Sequence, residues 1–316
     1  DKINNSNDFL KPFIDNMVSK HHFDHDYLDA LFSSITINPL VTKKMNTPYE
    51  AKPWQEYRGL FVTEKRIHGG AEYWQHNKKI LEKAEREYGV PAHVIVAIIG
   101  VESKYGQNAG QFPVLETLTT LAFNYPSRAP FFTKELENFL LLTREQQINP
   151  LTLVGSYAGA IGMPQFMPSS YRHYAVNFAG NRNIDLVHND ADVIGSVANY
   201  LAKNGWKKNL PVALPAQVQS PELNKLQQDP LKPSTTLSEL ASQGISWQAQ
   251  LPPDQKAAFF TVQIDNKPQY WVGLHNFMVI SRYNHNLQYV LAVHELAEAI
   301  KGRRQTANKD KREQNT

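Results

Sequence analysis

The chain has 316 residues, a formal net charge of +3, 41% hydrophobic and 20% charged residues, and no cysteine. That length allows a sizeable core in two domains or one elaborated domain, and the missing cysteine excludes disulfides, thiolate metal sites and cysteine nucleophiles. The last sixteen residues carry six basic and two acidic side chains, which leaves the rest near −1; no basic face for nucleic acid is implied, and no apolar run reaches the ~18 residues that span a bilayer.

The N-terminal third reads as helical. Asp8 is placed to cap a helix carrying Phe9, Phe13 and Met17, and Asp24 another carrying Leu28, Leu31 and Phe32. An irregular stretch with Pro39, Pro48 and Pro53 leads to Trp54-Gln55-Glu56-Tyr57-Arg58. Tyr73, Asn77, Ile80, Leu81, Ala84 and Tyr88 then share one helical face that ends at Gly89.

A short helix follows, opened by Pro91 and closed by Gly106, with the apolar run Val94 to Val101 running into Glu102. Ile98 and Ile99 precede Glu102 by four and three residues and so share its face. A carboxyl group held against apolar side chains loses hydration, its pKa rises, and it becomes suited to general acid work near neutral pH. The competing reading is a helix-end Glu turned outward into a surface ion pair.

Helices are expected from Lys134 to Gln147 and from Asp190 to Lys203. Between Leu210 and Asp254 the chain is rich in Pro, Gln and Ser. It then turns strand-like: Phe259 to Gln263 and Gln269 to Leu274 flank a hairpin turn at Asp265-Asn266-Lys267-Pro268, and Phe277 to Ile280 are expected to continue the sheet. A last helix is expected from Leu287 to Ile300. Arg303-Arg304 through Lys311-Arg312 has no large apolar residue and reads as disordered. The class is α+β, mainly helical, rather than a βαβ alternation.

Two further segments carry chemistry. Gly155 to Tyr171 is dense in small residues that permit close backbone approach, then presents Gln165 amid Phe166, Met167 and Pro168; a tight loop packed into a helical core would have the same composition. Ser281-Arg282-Tyr283-Asn284-His285, with Tyr289 beyond, is a polar-aromatic group that also suits a helix cap. Tyr57, Tyr125, Tyr200 and Tyr283 fall outside the apolar stripes, as sugar-facing aromatics do, although single tyrosines more often serve packing. His21 and His25, four apart, lack a convincing third ligand, so no metal site is expected.

Four motifs in a fixed order resemble the B-type lytic transglycosylases. They are Pro53-Trp54-Gln55-Glu56-Tyr57-Arg58, Glu102-Ser103-Lys104-Tyr105-Gly106, the glycine-rich segment ending Gln165-Phe166-Met167-Pro168-Ser169-Ser170-Tyr171, and Arg282-Tyr283-Asn284-His285. The resemblance implies a lysozyme-like core with a helical domain and a small β domain. The boundaries it suggests are 1–90 for an N-terminal helical region, 91–206 for the core, 207–274 for a β-rich insertion, 275–302 for a return to the core and 303–316 for the basic tail.

It further implies peptidoglycan glycan strands as substrate, cut between N-acetylmuramic acid and N-acetylglucosamine without water. Glu102 would be the single acid and base, and Tyr57, Ser156, Gln165, Tyr200, Tyr283, Asn284 and Tyr289 the residues that contact sugar. The enzymatic alternative is a hydrolytic muramidase, and the non-enzymatic one a peptidoglycan-binding scaffold. Two carboxylates serve ordinary glycoside hydrolases, yet neither 155–171 nor 281–285 contains one. A monomer in the periplasm of a Gram-negative bacterium is expected, in contact with other cell-wall enzymes. Because the chain opens at Asp1, an N-terminal export segment or lipid anchor ahead of it is compatible with the sequence.

The EF-hand-like calcium loop of some members corresponds to Asn177 to His188. Its first, third, fifth, sixth and twelfth positions hold Asn177, Ala179, Asn181, Arg182 and His188, where a calcium loop needs carboxylates, a glycine and a Glu. No cofactor is expected, and calcium binding should be weak at best.

Overall fold

The computed structural model describes residues 9–47 and 51–316; the expected cap Asp8 and the irregular stretch at Pro48 lie outside them. In chain order the helices are α1 (Leu10–His21), α2 (His25–Ser33), α3 (Pro39–Asn46), α4 (Trp54–Phe61), α5 (Glu64–His76), α6 (Lys78–Tyr88) and α7 (Ala92–Ser103). After strand β1 (Phe112–Pro113) come α8 (Val114–Asn124), α9 (Ala129–Gln146), strand β2 (Val154–Gly155), α10 (Pro168–Tyr174) and α11 (Asp190–Lys203). The last third comprises β3 (Ala213–Val218), β4 (Thr235–Thr236), α12 (Leu237–Ser242), β5 (Ile245–Ser246), β6 (Lys256–Ile264), β7 (Lys267–Gly273), α13 (His275–Ser281) and α14 (Leu287–Gln314).

The chain divides into two compact units that do not follow sequence order: 1–49 with 106–193, and 50–105 with 194–316. This departs from the division expected from the sequence, because α4 and α5 pack against α14 rather than against α1 to α3, and α6 joins them through α5 and α7.

In the first unit, α8 and α9 form the buried pair, through Val114, Leu118 and Leu121 on one and Phe132, Leu136 and Phe139 on the other. Asp24 caps α2 by accepting from the Tyr27 N–H, as expected. Helix α9 begins five residues before Lys134, because Pro130 sits in its first turn, where the missing N–H has no role.

In the second unit, α7 is buried on nearly every side and packs against α5 and α14. Its hydrophobicity all round is what a core helix requires. A five-stranded antiparallel sheet, ordered β4-β6-β7-β3-β5, occupies the expected β-rich stretch. Leu214, Leu237, Leu240, Phe259, Val272 and Leu274 cluster as its core. The β6–β7 hairpin turns through Asp265 and Asn266 alone, both at positive φ (51° and 59°), with Lys267 and Pro268 already in β7. Two left-handed residues match the strand twist, and Asn and Asp tolerate them.

Two expectations give way. Phe277 to Ile280 form α13 rather than a strand, because buried Asn276 ties the chain back: its amide donates to the Lys207 and Leu210 carbonyls and accepts from the Lys207 N–H. The basic tail is helical to Gln314. Arg303 makes a two-bonded contact with Glu64, and Arg304 lies 4.8 Å over the Trp74 ring and donates to Gln75. Composition alone missed these anchors, which extend α14 past its last buried residue, Ile300.

Candidate active site

Glu102 stands in the last turn of α7, directly above Ile98 and Ile99, both fully buried. The helix stops one residue later, before the expected Gly106: Lys104 and Tyr105 both adopt left-handed backbone (φ 51° and 60°). The Lys104 N–H returns to the Gly100 carbonyl at 3.1 Å and the Tyr105 N–H to Ile99 at 3.4 Å, which satisfies the orphan carbonyls of the helix end. Arg66 adds a third donor there, Nε to Gly100 O at 2.9 Å.

Tyr105 locks this end in place. Its hydroxyl donates to the Arg66 carbonyl at 2.6 Å, its ring stacks on Tyr73, and it fills a notch left by missing side chains. A Cβ at Gly100 or Gly70 would lie 2.5 Å from its hydroxyl oxygen. Arg66 carries no sequence signal of its own, and Tyr105 stands in the Glu102 motif without an assigned role; the Gly69-Gly70 pair inside a helix is the available signal for this packing.

Around the carboxyl group the second unit assembles tyrosines from three helices and a loop. The Tyr289 hydroxyl, from the first turn of α14, donates to Glu102 Oε2 at 2.5 Å. Burial pushes the Glu102 pKa up to about 7, against the lowering effect of that hydrogen bond. The Tyr283 and Tyr289 phenols are held well above their ordinary range, first by burial and then by the charge of Glu102; Tyr57 acts on Tyr289 in the same sense. Tyr200, from α11, rests against Tyr283 with ring centroids 4.9 Å apart and donates to the Arg282 carbonyl at 2.6 Å. Tyr57 stands between Trp54 and Phe61 on α4.

The structure thus gathers Glu102, Tyr57, Tyr200, Tyr283 and Tyr289 in one neighbourhood. Asn284 is exposed in the loop after α13. It does not cap α14; Asn286 does, accepting from the N–H groups of Gln288 and Tyr289 and so fixing the turn that carries Tyr289.

Ser156 and Gln165 belong to the first unit. The Ser156 hydroxyl accepts from the N–H groups of Ala158 and Ala160 at 3.2 and 3.0 Å. Gln165, at φ 51°, donates from its amide nitrogen to the carbonyls of Ala109 and Gly162. The small residues here serve close packing: a Cβ at Gly155 would meet the Ala160 carbonyl at 2.2 Å, and one at Gly162 the Leu186 carbonyl at 2.5 Å. Buried Glu135 accepts from both the N–H and the hydroxyl of Ser169 and so anchors the end of the segment on α9, a partner no spacing announced.

The loop 177–188 closes on two carboxylates, Asp185 within it and Asp192 in the first turn of α11. Asp192, fully buried, accepts from the N–H groups of Ala179 and Asp185, both at 2.9 Å, while Asp185 accepts from those of Val187 and His188. These oxygens neutralise backbone donors. His21 meets Glu137 at 2.8 Å rather than pairing with His25, whose ligand-capable neighbours Asp26 and Asp29 are on the surface or close to it.

Residues 5–298 match the transglycosylase SLT domain family. Membrane-bound lytic murein transglycosylase B of Escherichia coli (strain K12) is 41% identical over 310 residues, covering 95% of this chain and 84% of that protein. Among solved structures, soluble lytic transglycosylase SltB1 of Pseudomonas aeruginosa superposes with a TM-score of 0.89 at 42% identity, over 93% of this chain and 99% of that one. Escherichia coli Slt35 in complex with calcium gives 0.87 at 41% identity, over 95% and 94%. SltB3 of Pseudomonas aeruginosa in complex with NAG-anhNAM-pentapeptide gives 0.82 at 27% identity, over 93% and 80%. With a family match across nine-tenths of its length and a raised carboxyl at the end of its central helix, this chain belongs to the SLT-domain lytic transglycosylases.

Proposed function

We propose that the protein is a peptidoglycan lytic transglycosylase that cleaves the β-1,4 bond between N-acetylmuramic acid and N-acetylglucosamine and releases 1,6-anhydromuramyl products. The observation that carries this reading is Glu102: a carboxyl group whose pKa is pushed up to about 7 holds a proton to give and, once it has given it, is basic enough to take another. Among the described residues, the influences on its charge are burial and the Tyr289 hydroxyl, and neither is a second carboxylate.

The steps follow from one group used twice. Glu102 protonates the glycosidic oxygen as its bond to the muramic C1 breaks, and the neighbouring N-acetyl oxygen of the substrate stabilises the cationic carbon. The carboxylate then removes the proton of the C6 hydroxyl, whose oxygen closes on C1. Protons balance, and no water enters. Tyr289 donates to the carboxylate form and keeps its pKa from climbing beyond reach of the second step. Tyr57, Tyr200 and Tyr283 would present ring faces to sugar, and Ser156, Gln165 and Asn284 polar groups. The strand that SltB3 holds carries an anhydro-sugar and a pentapeptide, which fits the same product class here.

No helix among the described residues is long and apolar enough to cross a membrane. The murein relative is membrane-bound by name, and a periplasmic site of action suits the substrate. Although Slt35 takes calcium, the commitment of Asp185 and Asp192 to backbone donors makes binding by loop 177–188 weak. Titration calorimetry giving micromolar Ca²⁺ affinity would reverse that assignment. The function is tested by digesting purified cell wall and weighing the products. Anhydro ends, one water lighter than hydrolytic ends, are expected from wild type, and Glu102→Gln should retain less than about a hundredth of the rate. Reducing ends of full mass would make the enzyme a muramidase.

A further inference from the structure

Three links close around the Glu102 carboxyl group, and two of them belong to α14. Its first turn places the Tyr289 hydroxyl on Glu102, and further along Glu295 accepts from Arg58 Nε at 3.1 Å. Arg58 follows Tyr57 in α4, so this ion pair holds the tyrosine-bearing helix to α14. The third link runs from α4 to α7, and one side chain makes it.

That side chain is Arg66, in the first turn of α5. Thr63 caps the helix by accepting from the Arg66 N–H at 3.1 Å, and the Arg66 carbonyl takes the Tyr105 hydroxyl, so the backbone of this residue is fixed on both sides. The guanidinium donates to two helices: Nε to the Gly100 carbonyl of α7 and Nη1 to the Leu60 carbonyl of α4, each at 2.9 Å. Both carbonyls lie in the last turn of their helices, where the dipole presents its negative end. The Arg66 Cζ also lies 5.2 Å from the centre of the Phe61 ring, which is itself 5.1 Å from the ring of Tyr57.

A half-buried guanidinium is costly unless something opposes its charge. Among the described residues the acceptors of Arg66 are carbonyl oxygens, and no carboxylate joins them. Two helix ends supply the compensation instead. A cation kept for stability alone needs only to lie near such an end. A planar fork does more, because its donors are fixed relative to one another and so set the offset between the two carbonyls they join. Gly100 precedes Glu102 by two residues and Leu60 follows Tyr57 by three, so fixing these carbonyls fixes both side chains.

We infer that Arg66 is a positioning residue for glycan cleavage: by tying the C-terminal ends of α4 and α7 to each other, it sets Tyr57 and Glu102 at the offset in which one bound strand meets both. The part played by the strand rests on the transglycosylase reading; the double cap does not. Arg66 acts through the two helix ends and not on the reacting atoms. It closes a circuit in which Tyr289 joins α14 to α7 and Arg58 joins α4 to α14. With this link gone, the other two no longer define where Glu102 stands relative to Tyr57, and a misplacement of about 1 Å at a reacting group costs on the order of 10²-fold in rate.

The test compares wild type with Arg66→Met, which keeps the stem and loses every side-chain N–H, and with Arg66→Lys, which keeps the charge but not the fork. Soluble uncrosslinked glycan strands serve as substrate, well below each melting temperature, with the folded fraction taken from circular dichroism. Arg66→Met should lower kcat about tenfold or more, with KM changed by no more than about threefold. Amide exchange should quicken at Lys104 and Val62, whose N–H groups close α7 and α4. The basic limb of its pH–rate profile should move to lower pH, because a loosened α7 end admits water to Glu102; the facing Tyr283 and Tyr289 phenols titrate far above that range. Arg66→Lys should recover most of the melting temperature lost in Arg66→Met while kcat stays about fivefold down or more. A side chain that only stabilises the fold would recover both together, and that result would overturn the inference, as would a kcat for Arg66→Met within about twofold of wild type at equal folded fraction. If Arg66→Met does not fold, the kcat of Arg66→Lys decides alone. Wild type that releases hydrolytic ends would refute the transglycosylase reading and leave this inference to the same kcat comparison, since a muramidase works through the same Glu102.

Discussion

Replacing Glu102 by Gln should stabilise the protein, increasingly so as pH rises. A carboxyl group whose pKa is about 7 in the folded chain and 4.5 as its ordinary value keeps its proton on folding through the interval between them. The folded state then binds more protons than the unfolded one, so wild-type stability falls as pH climbs from 4.5 to 7 and stays lower above. At ~1.36 kcal/mol per pKa unit, the interval corresponds to about 3 kcal/mol. Glu102 as a residue keeps some contact with solvent, and screening reduces that to about 2 kcal/mol.

Gln keeps the shape and has no such term. Denaturant unfolding of both proteins at pH 4, 5.5, 7 and 8.5 isolates it, because every other titrating group cancels in the difference. The variant should gain about 2 kcal/mol on wild type between the lowest and highest pH. A difference that stays constant within about 0.5 kcal/mol would mean that Glu102 is as well solvated folded as unfolded, and the general acid would have lost its physical basis.

Tyr289→Phe removes the hydrogen bond that favours the Glu102 carboxylate, so the basic limb of the pH–rate profile should move to higher pH; an unmoved limb would show that the contact does not tune the acid. Gly100→Ala places a Cβ 2.5 Å from the Tyr105 hydroxyl oxygen and should dislodge the ring from its notch, at about 1–3 kcal/mol in denaturant unfolding, together with a fall in activity as the α7 end shifts. Truncation after Asn308 should leave the melting temperature unchanged, whereas truncation after Ile300 removes the Arg303–Glu64 and Arg304–Trp74 contacts and should lower it; equal melting temperatures would mean that the tail helix is not anchored.

Part of the candidate site was legible along the chain because its local geometry is set by neighbouring residues. The apolar run before Glu102 dictates a core helix, three- and four-residue spacing puts Ile98 and Ile99 beneath the carboxyl group, and Asp24 announces its helix by the short side chain it offers to Tyr27 N–H. The β hairpin followed from Asp265-Asn266 for the same reason: turn chemistry is decided by neighbouring residues. Where the decisive partner is distant, local pattern misled. Phe277 to Ile280 have strand-like composition, yet Asn276 binds carbonyls 66 and 69 residues away and the segment winds into a helix.

By itself, then, the sequence determined which residues could do the chemistry: a carboxyl group on an apolar helix face, a glycine-dense loop suited to close backbone approach, and tyrosines outside the apolar stripes. Only the tertiary structure decided what they became. It set the phenol of Tyr289 on Glu102 across 187 residues of chain and wedged Tyr105 among glycines from two helices. It also joined residues 50–105 to 194–316 in one compact unit. The physical reason is common to all of these. Desolvation and close packing depend on what surrounds a group in space, and a shifted pKa or a filled notch exists only once those surroundings are assembled.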